Sequence, residues 1–164
     1  MRAVDRSPAR FSRWASIGAG VVALVSTGLY SWPALAAGAL GLSLLVGGLV
    51  RGTRRAVTLG SFGLFVGGIL AGSGGAPVPP VLVGVTAAVL AWDVGGNAIG
   101  IGAQLGRDAE TLRLEAVHLA ASAVVGIVVA GAGFGIYRVG VGGRPLLALL
   151  LLVVAAVLLV KALD

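Results

Sequence analysis

Residues 89–110 read "VLAWDVGGNAIGIGAQLGRDAE", and how this stretch is read decides the fold. The apolar segment that begins near Val81 is long enough to cross a bilayer only if it runs through Asp93 and Asn97 to about Ile101. A hydrocarbon core of about 30 Å needs roughly 20 predominantly apolar residues per helix. If the segment stopped at Trp92, the aspartate would mark only a membrane surface. If it continues, a carboxylate lies inside a span.

The rest of the chain favours the second reading. Of its 164 residues, 58% are hydrophobic and 11% charged, with a mean hydropathy of +1.05. Soluble domains carry about 25% charged residues, so the polar surface is too small to cover a globule in water. Six apolar segments are predicted as spanning helices, at about 14–30, 33–50, 56–72, 81–101, 114–137 and 146–163. They follow a basic tail over 1–13. The expected fold is an all-α polytopic membrane bundle, one integral membrane domain over 1–164.

The joints between segments carry the prolines. Pro33, Pro77, Pro79, Pro80 and Pro145 stand just before or at the start of the second, fourth and sixth segments, where a missing N–H costs nothing. With the N-terminus inside, ten of the twelve basic residues fall on the inner side: Arg2, Arg6, Arg10, Arg13, Arg51, Arg54, Arg55, Arg107, Arg113 and Lys161. Arg138 and Arg144 fall outside. Cytoplasmic loops hold the Lys/Arg excess, which places both termini in the cytoplasm and the protein in the cell membrane. The net charge of +6 is thereby topological, and no nucleic-acid partner is expected. Trp14 and Tyr30 stand about 24 Å apart on a helix, as two interfacial aromatics would. The triplet Ala34-Leu35-Ala36 matches a signal-cleavage pattern but opens a second apolar run, so no cleavage is expected.

On a helical projection Thr86, Asp93, Asn97, Gly100 and Gln104 share one face of the fourth segment, within about 60°. Glu115, His118 and Ser122 share a face of the fifth. The two segments are antiparallel across a short loop, so Ser122 levels with Asn97, and Ser43 and Ser61 reach similar depths from the second and third. An aspartate near a helix centre costs about 2.5–3.5 kcal/mol on insertion scales. Asp93 is therefore expected to face the bundle interior, in a cytoplasm-facing cavity lined by Asn97 and Ser122. The candidate polar site is Asp93, Asn97, Gln104, Glu115, His118 and Ser122, with no lysine or arginine predicted at its depth.

Glycine is abundant, with 28 residues. Gly63 and Gly67, Gly96 and Gly100, Gly102 and Gly106, and Gly131 and Gly135 match the spacing that lets helix backbones approach closely. Such faces serve packing within one bundle or an oligomer contact. The sixth segment, "PLLALLLLVVAAVLLV", has no glycine and suits a lipid-facing edge.

Catalytic patterns are missing. The chain has no cysteine and one histidine, and it carries no Gly-x-Ser-x-Gly elbow or phosphate loop. Glu115-x-x-His118 is half of a di-metal pattern that requires two such motifs. Neither enzyme activity nor a cofactor or metal is expected. The bilayer is one partner, and a protein partner or a second copy is the other.

The stretch "AWDVGGNAIGIGAQLGRDAETLRLEAVHLAAS" followed by "GFGIYRV" resembles a family of small, uncharacterised haloarchaeal multi-pass integral membrane proteins. The resemblance implies an archaeal membrane protein and hints at an assembly system around a MoxR-type ATPase; it carries over no functional residue. Two functions compete: a non-enzymatic membrane subunit or scaffold, and a small ion-coupled carrier that uses Asp93. A carrier needs that carboxylate to change protonation or ion occupancy, whereas a scaffold needs it only as a hydrogen-bonding group.

Overall fold

The structure, a computed structural model, describes residues 6–106 and 111–138. They fall in two compact units, Met1–Ala130 and Gly131–Asp164, with the break inside the last described helix. The described residues form five helices: α1 (Arg10–Gly28), α2 (Trp32–Arg51), α3 (Arg54–Ser73), α4 (Val78–Leu105) and α5 (Leu112–Arg138). Helices α2, α3, α4 and α5 are long and apolar enough to cross a membrane. The expected sixth span, 146–163, lies outside the described residues.

Each joint has a local cause. Ser31 caps α2, its hydroxyl accepting the Ala34 N–H at 3.3 Å, and Pro33 sits in the first turn. Gly52 then ends α2 at φ 65°, a left-handed conformation that glycine adopts without a Cβ penalty. Pro77 precedes α4, and Pro79 and Pro80 occupy its first turn, where no helical N–H is lost. The basic tail expected over 1–13 is shorter than predicted, because helix begins at Arg10. The backbone of Ser7 and Pro8 lies against Gly102, and the Ala9 N–H donates to Ala98 O at 2.9 Å.

Consecutive helices run antiparallel, as their contacts require. Gly28 meets Leu35, Gly48 meets Val57 and Gly72 meets Val81. Helix α1 also runs back along α4, from Thr27 against Gly84 to Ser16, whose hydroxyl donates to Ala91 O at 2.6 Å. The starts of α1, α3 and α5 and the ends of α2 and α4 therefore share one end of the bundle. That end carries Arg6, Arg10, Arg13, Arg51, Arg54, Arg55 and Arg113.

Side-chain size is distributed in the reverse of a water-soluble protein. The face that α1 buries is Ser12, Ser16, Gly20, Ala23, Thr27 and Gly28, and α4 buries mainly glycine and alanine with a few aliphatic residues. Outside stand Val25, Leu40, Leu59, Phe62, Ile69 and Trp92, each about half exposed or more. Small residues inside let helix backbones approach, and large apolar residues outside are stable against lipid rather than water.

The tightest seam lies between α2 and α3. A Cβ on Gly41 would stand 2.6 Å from Gly60 O and from Leu64 N, and one on Gly60 would collide with the Leu45 backbone. The Gly63 and Gly67 pair belongs to this seam, against Gly41 and Ala34. Among the described residues the other three predicted glycine pairs do not form helix seams. Gly96 faces open space, and Gly100 meets only the tip of the Arg54 side chain. Gly102 admits the N-terminal segment, Gly106 ends α4 at φ 82°, and Gly131 and Gly135 have nothing within 4 Å.

Candidate functional site

Helix α4 runs unbroken for 28 residues, about 42 Å at 1.5 Å per residue. Asp93 sits near its middle, so the alternative in which the segment stops at Trp92 does not hold. Two residues of α5 approach the carboxylate. Ser122 Oγ donates to Asp93 Oδ2 at 2.6 Å. His118 Nε2 lies 3.0 Å from the same oxygen but makes no hydrogen bond to it. Asp93 and His118 side chains are 36% and 37% exposed, so the pair sits at the edge of the bundle and not in a sealed core.

One predicted companion goes elsewhere. Glu115 shares a helical face with His118 and Ser122, yet it is buried and reaches α1. Its Oε2 accepts the Ser12 backbone N–H at 2.7 Å, and its Oε1 accepts the Thr111 hydroxyl at 2.7 Å. Ser12 lies in the first turn of α1, which has no acidic residue and no side-chain cap. Unpaired N–H groups and the positive end of the helix dipole both favour an anion there. Glu115 supplies it from another helix.

Beside the pair opens a crevice of about 620 Å³, lined by Asp93, Asn97, Gly100 and Gln104 of α4, His118 of α5 and Arg54 of α3. Asn97 Nδ2 is buried there with no hydrogen-bond partner. Ser122 holds Asp93 and does not line the crevice. Ser43 and Ser61 take no part in it. Ser43 is exposed and donates back to Ala39 O at 2.8 Å, and Ser61 is buried beside a separate groove.

Arg54 is the residue that sequence reasoning missed. Counted only as a topological charge, it reaches over Gly100, where a Cβ would stand 3.0 Å from its Nη2. A glycine opposite an arginine one helix away was the available signal. Trp92 was also passed over: its Nε1 donates to Thr58 Oγ1 at 3.2 Å, joining α4 to α3 at the crevice edge.

Among the described residues no three His, Cys, Asp or Glu side chains gather as metal ligands. The site's chemical means are a carboxylate with an imidazole and a hydroxyl, and a guanidinium two helical turns away with the unpaired Asn97 amide between them. Such a set can hold or pass a proton, or bind a charged group.

The chain belongs to a family of unknown function, DUF7519, whose profile matches residues 6–160. No curated protein and no solved structure matches it.

Proposed function

We propose that the protein is a non-enzymatic subunit or assembly scaffold of the cell membrane, with its arginine-rich end in the cytoplasm. Helix α1 crosses the membrane with the four more apolar helices. The observation that carries this reading is the surface of α5. Val124, Val125, Ile127, Val128 and Val129 are 62–68% exposed. The helix is fastened to the bundle at few points: Glu115 to Ser12, Ser122 and His118 to Asp93, and Gly126 against Thr86. Among the described residues this apolar face stays uncovered, which leaves it for a helix of a second protein, or of a second copy.

Photo-crosslinking in intact membranes tests this. A photoreactive residue at Val125 or Val128 is expected to give one discrete protein adduct, and one at Leu40, exposed on α2, is expected to give none. Lipid adducts alone at every position would overturn the scaffold reading.

The contact between Asp93 and His118 favours a second reading, an ion-coupled carrier. An ionisable residue inside a span is by default a functional candidate, and here it borders an open crevice. Proton- or cation-dependent flux in proteoliposomes, abolished by Asp93→Asn in a folded protein, supports it. Wild-type vesicles no leakier than empty ones count against it.

A further inference from the structure

A second cavity adjoins the polar crevice where Trp92 Nε1 donates to Thr58 Oγ1 at 3.2 Å. It is an apolar groove of about 300 Å³ between α3 and α4, lined by Thr58, Ser61, Phe62, Phe65, Val89 and Trp92. Thr58 and Trp92 line both cavities. On α3, Arg54, Thr58, Phe62 and Phe65 follow one another at helical spacing down a single face. The seam has a cation at the end of the bundle, amide donors beside it and aromatic walls deeper in.

From Arg54 to Phe65 the rise is about 16 Å, close to half of the roughly 30 Å hydrocarbon core. That is the depth of one leaflet. We propose that this seam binds one phospholipid with an anionic headgroup, its phosphate at Arg54 and Asn97 and an acyl chain along Phe62 and Phe65.

Three observations fix the ligand class. The Arg54 guanidinium makes no ion pair among the described residues, and the absence of a Cβ at Gly100 leaves it room to lie over α4. Asn97 Nδ2 is a buried donor without an acceptor, a group that costs free energy until an acceptor arrives. The wall beyond Trp92 is apolar and opens sideways, which suits an acyl chain and not a soluble anion. The one competing charge in the crevice is Asp93. It stands one helical turn from Asn97, about 6 Å along α4, and lines the same crevice, with its Oδ2 turned away to Ser122 and His118 of α5. Basic pockets between spanning helices at the cytoplasmic face are suited to lipid headgroups in this way.

The proposal requires a membrane-embedded chain but no protein partner, so it stands or falls separately from the scaffold reading. Native mass spectrometry of the full chain, released from detergent with phosphatidylglycerol or phosphatidylcholine present, tests it. Wild type is expected to retain one phosphatidylglycerol preferentially. Arg54→Gln should weaken that retention about tenfold, the scale of a charged hydrogen bond. Arg55→Gln, whose arginine does not line the crevice, should leave it unchanged. Asn97→Asp, which adds a like charge, should weaken it without removing the arginine. Equal retention of the two lipids by wild type would overturn the proposal, as would equal losses from Arg54→Gln and Arg55→Gln. Displacement of the lipid by soluble glycerol phosphate, with no dependence on chain length, would show a free-anion site instead and also overturn it.

Discussion

Glu115 caps a helix to which it does not belong. Its carboxylate accepts the Ser12 N–H at 2.7 Å, and Ser12 lies in the first turn of α1 between Arg10 and Arg13. Two arginines at a helix N-terminus oppose the helix dipole, so α1 depends on an anion supplied by α5. The contact joins the arginine-bearing start of α1 to the helix that carries His118 and Ser122.

Removing that anion should loosen α1. Glu115→Ala leaves the Ser12 N–H unpaired and should cost about 1–3 kcal/mol. A lower thermal midpoint in detergent and faster amide exchange at Ser12 are expected. Glu115→Gln keeps an acceptor and should lose less. Unchanged exchange at Ser12 in Glu115→Ala would show that the cap does not hold α1.

The glycine seams separate two substitutions that look alike in sequence. Gly60→Ala places a methyl against the Leu45 backbone and Gly41 O, which cannot give way as a side-chain tip can. A loss of about 1–3 kcal/mol is expected, as for an overpacked core. Gly100→Ala meets only the flexible end of Arg54 and should be neutral or slightly stabilising, since alanine favours helix by up to about 1 kcal/mol over glycine. Thermal midpoints of the two variants decide the matter; equal losses would contradict the assignment.

Asp93→Asn keeps the shape and leaves an oxygen able to accept from Ser122. Folding and any crosslinked protein adduct should survive, and only a proton- or cation-coupled flux would be lost. Asp93→Leu removes the acceptor and leaves Ser122 and His118 without it. A lower thermal midpoint is expected, on the order of 1 kcal/mol for an intramembrane hydrogen bond. If Asp93→Leu is as stable as wild type, the contact between α4 and α5 does not depend on this carboxylate.

The boundaries of α2 and α3 were legible because they are set by local chemistry. Expected spans at 33–50 and 56–72 became α2 at Trp32–Arg51 and α3 at Arg54–Ser73, bounded by Pro33, Gly52 and the paired arginines. That the polar faces of α4 and α5 meet was legible from period and antiparallel direction, but the register was not: Ser122, expected level with Asn97, bonds Asp93 one turn away. Glu115 was not legible either. Its place on the shared face is correct, but its partner is decided by where α1 begins, and the arginines before Trp14 disguised that start. Arg54 was hidden similarly, because a charge read as a topology marker says nothing about where its long side chain lies. Of the glycine pairs only Gly63 and Gly67 found a helix seam among the described residues. Close approach depends on which faces meet, and in so glycine-rich a chain spacing alone does not identify them.

The central claim is that the arginine-bearing end of a membrane-embedded bundle faces the cytoplasm, with Asp93, the crevice and Arg54 in the inner half. Single cysteines test it directly, because the chain has no native cysteine. Thr53, in the turn between α2 and α3, and Ser73, at the far end of α3, are both exposed. In intact cells an impermeant thiol reagent is expected to label Ser73→Cys, and to label Thr53→Cys only after the cells are permeabilised. Labelling of Thr53→Cys in intact cells, with Ser73→Cys protected, would invert the bundle and contradict the account.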